Sequence, residues 1–321
     1  MFQRSLVCVL RVLAVLACSC GGTRDTSADG CPQTPPTLAV DVAAHSIKRI
    51  FIIVMENQDW SSIKGSPSAP YINRELLPSF AHAENYRNGG LHPSLGNYIT
   101  LEAGDNLGIM SDAAPNDLHL PVPCHLSTYL EAVGVPWKAY EEGIDGKTCP
   151  VADIGSYAVR HDPFVYFDDV AGNPPNQASQ RCVAHVRPYA ELAHDLQAGS
   201  VARYNFITPD LCNSGHDTCA PYHDPVRQSD AWLERELPKL MASQTYQNGG
   251  AIFITWDESA VADDPIGMIV VSPLAKKGYT SSLPYSHTST LRTVEEVLGV
   301  MPLLRGAATA TSLSDLFTRY P

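Results

Sequence analysis

The sequence predicts an α/β protein, a three-layer sandwich built around a mainly parallel central sheet. The first observation is that short apolar runs, typical of buried strands, alternate along the chain with segments of helical spacing. The second is size and composition, because 321 residues that are 44% hydrophobic and 17% charged suit one large globular domain. No internal repeat is apparent in the sequence.

The individual strands and helices can be placed in chain order from these patterns. Apolar runs predict strands at 47–55, 136–142, 202–210, 249–259 and 266–273. Helical spacing predicts helices at 125–134, 187–200, 229–243 and 289–299. The last of these helices opens on a Ser/Thr cap and closes on Gly299, and the third contains Pro238.

The N-terminus has the pattern of a targeting segment. Residues 1–20 predict a signal peptide, because an arginine is followed by an apolar stretch that is short for a membrane span and ends in small residues. The string "VLAC" is typical of a bacterial lipoprotein signal ending before Cys18, and an ordinary cleaved signal is the alternative. We expect a flexible linker over 21–45, a single domain over 46–321, and export to the periplasm, the medium or the cell surface.

The cysteine count agrees with export to an oxidising compartment. Nine cysteines are present, and the three at positions 8, 18 and 20 belong to the targeting segment, which leaves six. Zinc ligation is the alternative to disulfides, but no CxxC pair occurs. Spacing favours Cys212–Cys219 and Cys124–Cys149 as pairs, and Cys31–Cys182 is what remains.

Four polar clusters lie just after apolar strands or in the loops that follow them. They are Glu56-Asn57, the segment from Asp210 to Asp217, Asp257-Glu258, and His287. One such cluster would be a helix cap or a solvated turn, but ligands bind beyond the carboxyl ends of parallel strands, so four indicate a site. Carboxylates brought together repel one another unless they are protonated or neutralised by a cation. Oxygen ligands favour a hard divalent cation, and imidazoles such as His216 extend the range to zinc or iron.

A nucleophile is available in "GGLHPSLGNYITLEAG", residues 89–104. Ser94 follows a Gly-rich, Pro-containing turn and precedes an apolar helical start. At a helix N-terminus the unpaired N–H groups and the helix dipole favour an alkoxide and a bound phosphate. Ser94 as a simple N-cap is the alternative. The GxSxG string of acyl-transfer enzymes is absent here, which favours phosphoryl transfer.

Five motifs in a fixed order resemble those of a known family. They are "VMENQDW", "HPSLGNYI", "NFITPDLCNSGHD", "ITWDES" and "YSHTSTLRTVEEVLG". Together they resemble the bacterial phosphoesterase family that contains acid phosphatases and phospholipases C, within the alkaline-phosphatase-like superfamily. The resemblance covers about residues 47–300 and implies an alkaline-phosphatase-like fold.

The resemblance also implies a metal site and a nucleophile. It implies that one divalent cation is held by Glu56, Asn57, Ser94, Asp257 and Glu258. The identity of the cation stays open between Ca, Mg, Mn, Zn and Fe, and there is room for a second metal. Ser94 is similar to the family's nucleophile, which also touches the metal.

Other positions match groups that contact the phosphate. His216 and His287 are expected to contact the phosphate or to protonate the leaving group. Asp210 and Asp217 are expected on the substrate side, or as ligands of a second metal. Asn97, one turn after Ser94, is expected to donate its amide to a phosphoryl oxygen.

These features together predict metal-dependent hydrolysis of phosphate esters through a phosphoserine, by a broad-specificity acid phosphomonoesterase. The alternatives are a phosphodiesterase or phospholipase C acting on lipid headgroups, and an inactive surface binding lipoprotein. A serine esterase would require a Ser-His-Asp arrangement that the sequence does not place.

The charge pattern limits the range of partners. The net charge of −12 and the lack of a long basic block argue against a nucleic-acid complex. We expect a phosphate-ester substrate, membrane contact only through an N-terminal lipid anchor, and no protein partner. The stretch 160–170 is expected to be a solvated loop whose aromatics flank the substrate entrance, and His161 within it is expected to be structural.

Overall fold

An eight-stranded sheet forms the centre of the protein in a computed structural model that describes residues 30–39 and 41–321. The predicted signal peptide and the lipidation of Cys18 fall outside the described residues. The strands of the described chain are β1 Thr37–Leu38, β2 Arg49–Met55, β3 Ala81–Ala83, β4 Tyr86–Arg87, β5 Trp137–Glu141, β6 Val186–Pro188, β7 Tyr204–Thr208, β8 Gly250–Trp256, β9 Met268–Val271, β10 Thr280–Ser281, β11 Tyr285–Ser286 and β12 Val300–Met301.

The strand order in the sheet is β10-β3-β9-β8-β2-β7-β5-β6. Strand β9 is antiparallel to both its neighbours, and all other adjacent pairs are parallel. The central strands β2 and β8 are buried along almost their whole length, as expected for strands covered on both faces. The five strands predicted from apolar runs are confirmed as β2, β5, β7, β8 and β9. The strands that were not predicted have only two or three residues, too few to show a pattern.

Helices flank this sheet. Those in the described chain are α1 Trp60–Ile63, α2 Leu77–Ser79, α3 Ser94–Ala103, α4 Leu126–Ala132, α5 Asp168–Ala171, α6 Gln180–His185, α7 Ala190–Ala198, α8 Pro225–Met241, α9 Gln244–Gln247 and α10 His287–Leu298. None of the helices within the described ranges has the length and apolar character needed to cross a bilayer. The predicted α/β architecture is confirmed.

Two of the predicted helices begin earlier than expected. Helix α8 starts at Pro225 because the carboxylate of Asp224 accepts the backbone N–H of Arg227, which caps the first turn. Helix α10 starts at His287, where Ser286 and Ser289 form a capping box. His287 is therefore part of a helix and not of a loop.

The described part of the predicted linker 21–45 belongs to the fold, which corrects that prediction. Strand β1 pairs antiparallel with β12, and Cys31 forms a disulfide with Cys124. The ring of His45 is buried, and its Nδ1 lies 2.8 Å from the Val297 carbonyl oxygen. Polar, Pro-bearing composition suggested a tether, but one disulfide and one strand pair attach this segment to the domain.

The disulfides correct two of the three predicted pairs. Cys212–Cys219 is confirmed, whereas the other bonds join Cys31 to Cys124 and Cys149 to Cys182. The Cα atoms of the latter two pairs are 5.8 Å and 5.4 Å apart, within the range for disulfides. Sequence spacing identified the short loop but carried no information about which distant segments meet.

Candidate active site

Two parallel neighbouring strands deliver the predicted acids to one place. Met55 at the end of β2 is in register with Trp256 at the end of β8, so the residues that follow both strands emerge side by side. The Asp257 N–H donates to the Met55 carbonyl at 3.0 Å. The Glu56 N–H donates to the Ser214 carbonyl, also at 3.0 Å, which brings the loop after β7 to the same edge.

The carboxylates of Glu56 and Asp257 meet at the side chain of Asn57. One terminal atom of the Asn57 amide lies 2.8 Å from Glu56 Oε2 and 3.0 Å from Asp257 Oδ1. If that atom is nitrogen, it donates to both acids. If it is oxygen, three oxygens face one another, which is the arrangement that surrounds a divalent cation. The Asn57 φ of 35° lies in the left-handed region, which Asn tolerates better than most residues.

Ser94 lies beside these acids as the first residue of α3. Its hydroxyl is buried and donates to Glu56 Oε2 at 3.4 Å. Gly96 allows the close packing of this first turn, because a Cβ there would lie 3.0 Å from the Ile109 carbonyl oxygen. The Leu95 N–H at the start of the helix donates to Asp112 Oδ1 at 3.0 Å. The structure therefore brings Ser94, Glu56, Asn57 and Asp257 together.

Glu258 is held slightly apart from this group. Its Oε2 lies 3.0 Å from His92 Nδ1 and accepts the amide of Asn97 at 3.2 Å. The Asn97 amide also donates to the Leu91 carbonyl at 2.9 Å, and its Oδ1 is a buried atom without a hydrogen-bond partner among the described residues. The predicted phosphoryl donor thus orients Glu258 in this structure.

The residues present fit a hard divalent cation. No three His, Cys, Asp or Glu side chains of the described chain stand ready around one metal position. Amides and hydroxyls also bind hard cations, and the group here is two carboxylates with Asn57 and Ser94. Asp257 Oδ2 is buried without a hydrogen-bond partner in the described ranges, as an atom awaiting a ligand would be. An all-oxygen set of this kind is typical of Mg, Ca or Mn sites.

Burial dominates the electrostatics of the acids. Burial first, and the nearby Asp257 second, raise the pKa of Glu56 well above its usual range. Burial, followed by the charge of Glu258, raises the pKa of Asp257 to about 8. A bound cation would reverse both shifts, because it favours the ionised carboxylates.

His216 and Asp217 lie on the loop that the Cys212–Cys219 disulfide closes. His216 Nδ1 is 2.7 Å from Asp217 Oδ1, and its Nε2 is 3.3 Å from an Nη of Arg160. The ring centroid of His216 lies 5.8 Å from that of His161, which places this imidazole close to the acid cluster.

Asp210 has its two oxygens engaged in shaping the same loop. Oδ1 accepts the backbone N–H groups of Cys212 at 3.0 Å and Asn213 at 2.9 Å. Oδ2 accepts the Ser156 hydroxyl at 2.7 Å. These contacts do not support the predicted substrate contact of Asp210, because both oxygens already have partners.

His287 lies behind Asp257. Its Nε2 is 2.6 Å from the Asp257 carbonyl oxygen, and its Nδ1 is 3.1 Å from the Tyr86 hydroxyl. Burial lowers the pKa of this histidine to about 4. Both ring nitrogens are engaged with protein groups, so the placement supports a positioning role and not the predicted phosphate contact or acid role.

Residues 160–170 are the clearest site feature that the sequence interpretation missed. The predicted solvated loop is buried over 161–167 because Phe164 packs against Trp137 and Phe206. His161, expected to be structural, points its Nε2 at Glu56 Oε1 across 3.4 Å.

Tyr98 also contacts Glu56. Its ring stacks on His161 with centroids 5.2 Å apart, and its hydroxyl donates to Glu56 Oε1. The i, i+4 spacing from Ser94 could have placed Tyr98 on the site face of the helix. "RHD" at 160–162 carried no comparable signal.

Buried acids beyond adjacent parallel strands, with a serine at a helix N-terminus beside them, form a candidate site of the kind expected for phosphoester hydrolysis in an α/β protein. The chain belongs to the Phosphoesterase family, whose model matches residues 66–301. The predicted family is thereby confirmed, and the protein is a hydrolase that acts on phosphoric esters.

Individual relatives and solved structures agree with this family. The chain is 26% identical to a phosphatidylinositol-3-phosphatase of Mycobacterium tuberculosis, over 98% of this chain and 97% of that protein. It is 25% identical to a probable acid phosphatase of Kluyveromyces lactis, over 79% of this chain but only 59% of that protein. A Vibrio parahaemolyticus protein of the alkaline phosphatase superfamily shares the fold with a TM-score of 0.57, 10% identity, and coverage of 84% and 72%.

Proposed function

We propose that the protein is a metal-dependent phosphomonoesterase that acts through a phosphoserine at Ser94. The observation that carries this proposal is the 3.4 Å contact of the buried Ser94 hydroxyl with Glu56 Oε2, beside Asp257. The two carboxylates beside this hydroxyl repel each other when ionised unless a cation joins them.

Glu56, Asn57, Asp257 and Ser94 would hold the cation, with Glu258 adjacent. When bound, the cation supplies positive charge to the phosphoryl oxygens and to the serine oxygen. Tyr98 holds the Glu56 carboxylate in place from its other oxygen, and His161 Nε2 lies 3.4 Å from that oxygen. This arrangement orients the serine oxygen for in-line attack on phosphorus.

His216 is the better placed of the two histidines to donate a proton to the departing alcohol. Its Nδ1 is held by Asp217, which fixes the ring, and its Nε2 lies 3.3 Å from Arg160. The proton of the Ser94 hydroxyl passes to Glu56 Oε2, its hydrogen-bond acceptor, as the serine oxygen attacks phosphorus. Water then hydrolyses the phosphoserine, with His216 accepting a proton from the water and Glu56 returning its proton to the serine oxygen, which regenerates all three groups.

The test is hydrolysis of p-nitrophenyl phosphate after chelation and metal add-back, for the wild type and Ser94→Ala. We expect chelator to abolish activity, divalent cation to restore it, and Ser94→Ala to remain inactive with its metal content unchanged. Near wild-type turnover by Ser94→Ala would contradict the proposal. Chelator-insensitive ester hydrolysis would favour a serine esterase instead.

A second candidate is a phosphate monoester on a lipid headgroup. The M. tuberculosis relative that matches nearly end to end is a phosphatidylinositol-3-phosphatase. Five of the seven exposed large apolar side chains of the described residues also lie on loops at the carboxyl edge of the sheet, around the site. They are Met110, Ile154, Tyr222, Val261 and Leu283. Phosphate release from vesicles containing phosphatidylinositol 3-phosphate, compared with phosphatidylcholine vesicles and bis-p-nitrophenyl phosphate, separates this candidate from a diesterase.

Export is part of the proposal. It is supported by the signal-like pattern of residues 1–20 and by three disulfides, which persist in oxidising compartments. Fractionation of cells that express the full chain, with the protein detected in the cytoplasm alone, would contradict it.

A further inference from the structure

Arg160 connects the two sides of the candidate site. One Nη donates to His216 Nε2 at 3.3 Å, and Nε lies 3.6 Å from Asp112 Oδ2. The other oxygen of Asp112 accepts the Leu95 N–H, at the start of the helix that carries Ser94. The guanidinium therefore lies between the serine helix and the histidine loop.

The guanidinium of Arg160 is held in position, but it makes no hydrogen bond to a carboxylate among the described residues. The 3.6 Å approach to Asp112 is longer than a hydrogen bond, and the partner at His216 is an imidazole and not a carboxylate. Its side chain is 20% exposed, so it is held in position but accessible from the site. An arginine fork that is not paired bidentately with a carboxylate is suited to a phosphate.

The contact with His216 also fixes the imidazole. Because a guanidinium only donates, His216 Nε2 must accept, and its Nδ1 proton then faces Asp217. If Arg160 turned from His216 to a phosphoryl oxygen, Nε2 would be free to take up the proton that His216 donates to the leaving group.

We propose that Arg160 is a specificity-determining residue that binds the non-bridging oxygens of the substrate phosphate and favours dianionic monoesters over monoanionic diesters. This inference rests on the proposed function. The physical reason is charge: acids dominate the site, and a second negative charge on the phosphate requires a second positive group besides the cation. A monoester also presents three terminal oxygens to the fork, whereas a diester presents two.

The test compares Arg160→Ala and Arg160→Lys with the wild type and with Arg74→Ala, an exposed arginine of the helical segment Ile72–Leu76. The measured quantities are kcat/KM for p-nitrophenyl phosphate and bis-p-nitrophenyl phosphate, and the Kd of inorganic phosphate by calorimetry. For Arg160→Ala we expect the ratio of kcat/KM for the monoester to kcat/KM for the diester to fall about tenfold to a hundredfold. That is the loss expected when charged hydrogen bonds are removed, and inorganic phosphate should bind less tightly by a similar factor. Arg160→Lys should recover part of the ratio because it keeps the charge but not the fork.

The outcomes separate this inference from the proposed function. An unchanged ratio and unchanged phosphate binding in Arg160→Ala would overturn the role of Arg160, even if Ser94→Ala is inactive. Equal losses on both esters with normal phosphate binding would also overturn it, because Arg160 would then act only by holding His216. An active Ser94→Ala variant would instead contradict the nucleophile, and phosphate calorimetry would still decide on Arg160. If Arg160→Ala fails to fold, Arg160→Lys serves for the same measurements.

Discussion

Helix α3 carries a buried cluster of polar groups at each end, and the two clusters are built in opposite ways. At its N-terminus Ser94 meets Glu56 and Asp257, and Asp257 Oδ2 has no hydrogen-bond partner among the described residues. Near its C-terminus Glu102 accepts the Ser127 N–H at 2.7 Å and contacts His125 Nδ1 at 3.0 Å.

His125 also contacts Asp169 Oδ1 at 3.0 Å through its other nitrogen and stacks on Phe167. Burial alone would lower the pKa of His125, but the bonds to Asp169 and Glu102 outweigh burial and raise it. The carboxylates of the C-terminal cluster thus favour the protonated, positively charged form of His125. The comparison teaches that equally buried acids can have different roles: Glu102 stabilises the fold through its contacts, whereas Asp257 is free to bind a ligand.

The largest expected effect comes from neutralising one acid in each cluster. Asp257→Asn should lower kcat/KM by about a thousandfold. It removes a proposed ligand of the cation, which stabilises charge on the reacting phosphate. It should leave the free energy of unfolding of the metal-free protein unchanged or raised, because a buried unpaired carboxylate is costly. Enzyme kinetics and urea unfolding with chelator present measure both quantities.

Glu102→Gln is the matched control, and it should behave in the reverse way. It should cost about 3 kcal/mol of unfolding free energy, because it leaves His125 facing a neutral partner, while kcat/KM stays within a few-fold of wild type. A stable Glu102→Gln variant, or an Asp257→Asn variant that loses its fold, would remove the distinction between the clusters.

The acid cluster should also give the metal-free protein a distinctive pH dependence. Burial, with Glu258 second, raises the pKa of Asp257 to about 8, far above that of an unfolded aspartate. Asp257 therefore contributes stability below about pH 4, and this contribution is lost as pH rises toward 8. We expect the Tm with chelator to fall over this range, and to fall less for Asp257→Asn.

Added divalent cation should raise the Tm most at the alkaline end of that range, where the carboxylates are ionised and free to bind it. Calorimetry at several pH values, with and without cation, measures this. A cation effect that is the same in Asp257→Asn as in the wild type would contradict the assigned ligand set.

A third pair of variants extends the comparison to two disulfides. Cys212→Ser with Cys219→Ser frees the loop that carries His216 and Asp217, so kcat should fall about tenfold. Because the loop is short, chain entropy predicts a loss of only about 2 kcal/mol in the free energy of unfolding. The longer loop that Cys149 and Cys182 close contains Arg160 and His161, but packing of Phe164 against Trp137 and Phe206 also holds that segment. Cys149→Ser with Cys182→Ser should therefore cost about 4 kcal/mol with little change in kcat. Equal kinetic effects in both variants would show that the short loop does not position His216.

The way in which each residue reaches the site explains which of them the sequence could predict. Glu56 and Asp257 were predictable because they follow apolar strands directly, and parallel neighbouring strands end at one edge. Ser94 was predictable because a Gly-rich turn precedes an apolar helical start.

Arg160 and His161 were not predictable, because their segment reaches the site through packing of Phe164 and not through a strand end. The disulfide from Cys31 was missed for a similar reason, since contact between distant segments leaves no periodic trace. Where the chain brings residues together through regular elements, their placement can be predicted; where it depends on loops packing together, it cannot.

The smallest expected effect distinguishes two serines of similar burial. Ser127 lies in the first turn of α4, and its hydroxyl is 3.0 Å from His125 Nδ1, just as Ser94 lies in the first turn of α3 beside Glu56. Ser127→Ala removes one hydrogen bond from a ring nitrogen that keeps Glu102 as a partner, so we expect a loss of about 1 kcal/mol and unchanged kcat/KM. Thermal unfolding and p-nitrophenyl phosphate hydrolysis measure the two quantities. A large loss of activity in Ser127→Ala would mean that a buried serine at a helix start does not by itself identify the nucleophile. The acids around Ser94 would then be weaker evidence for its role than the geometry indicates.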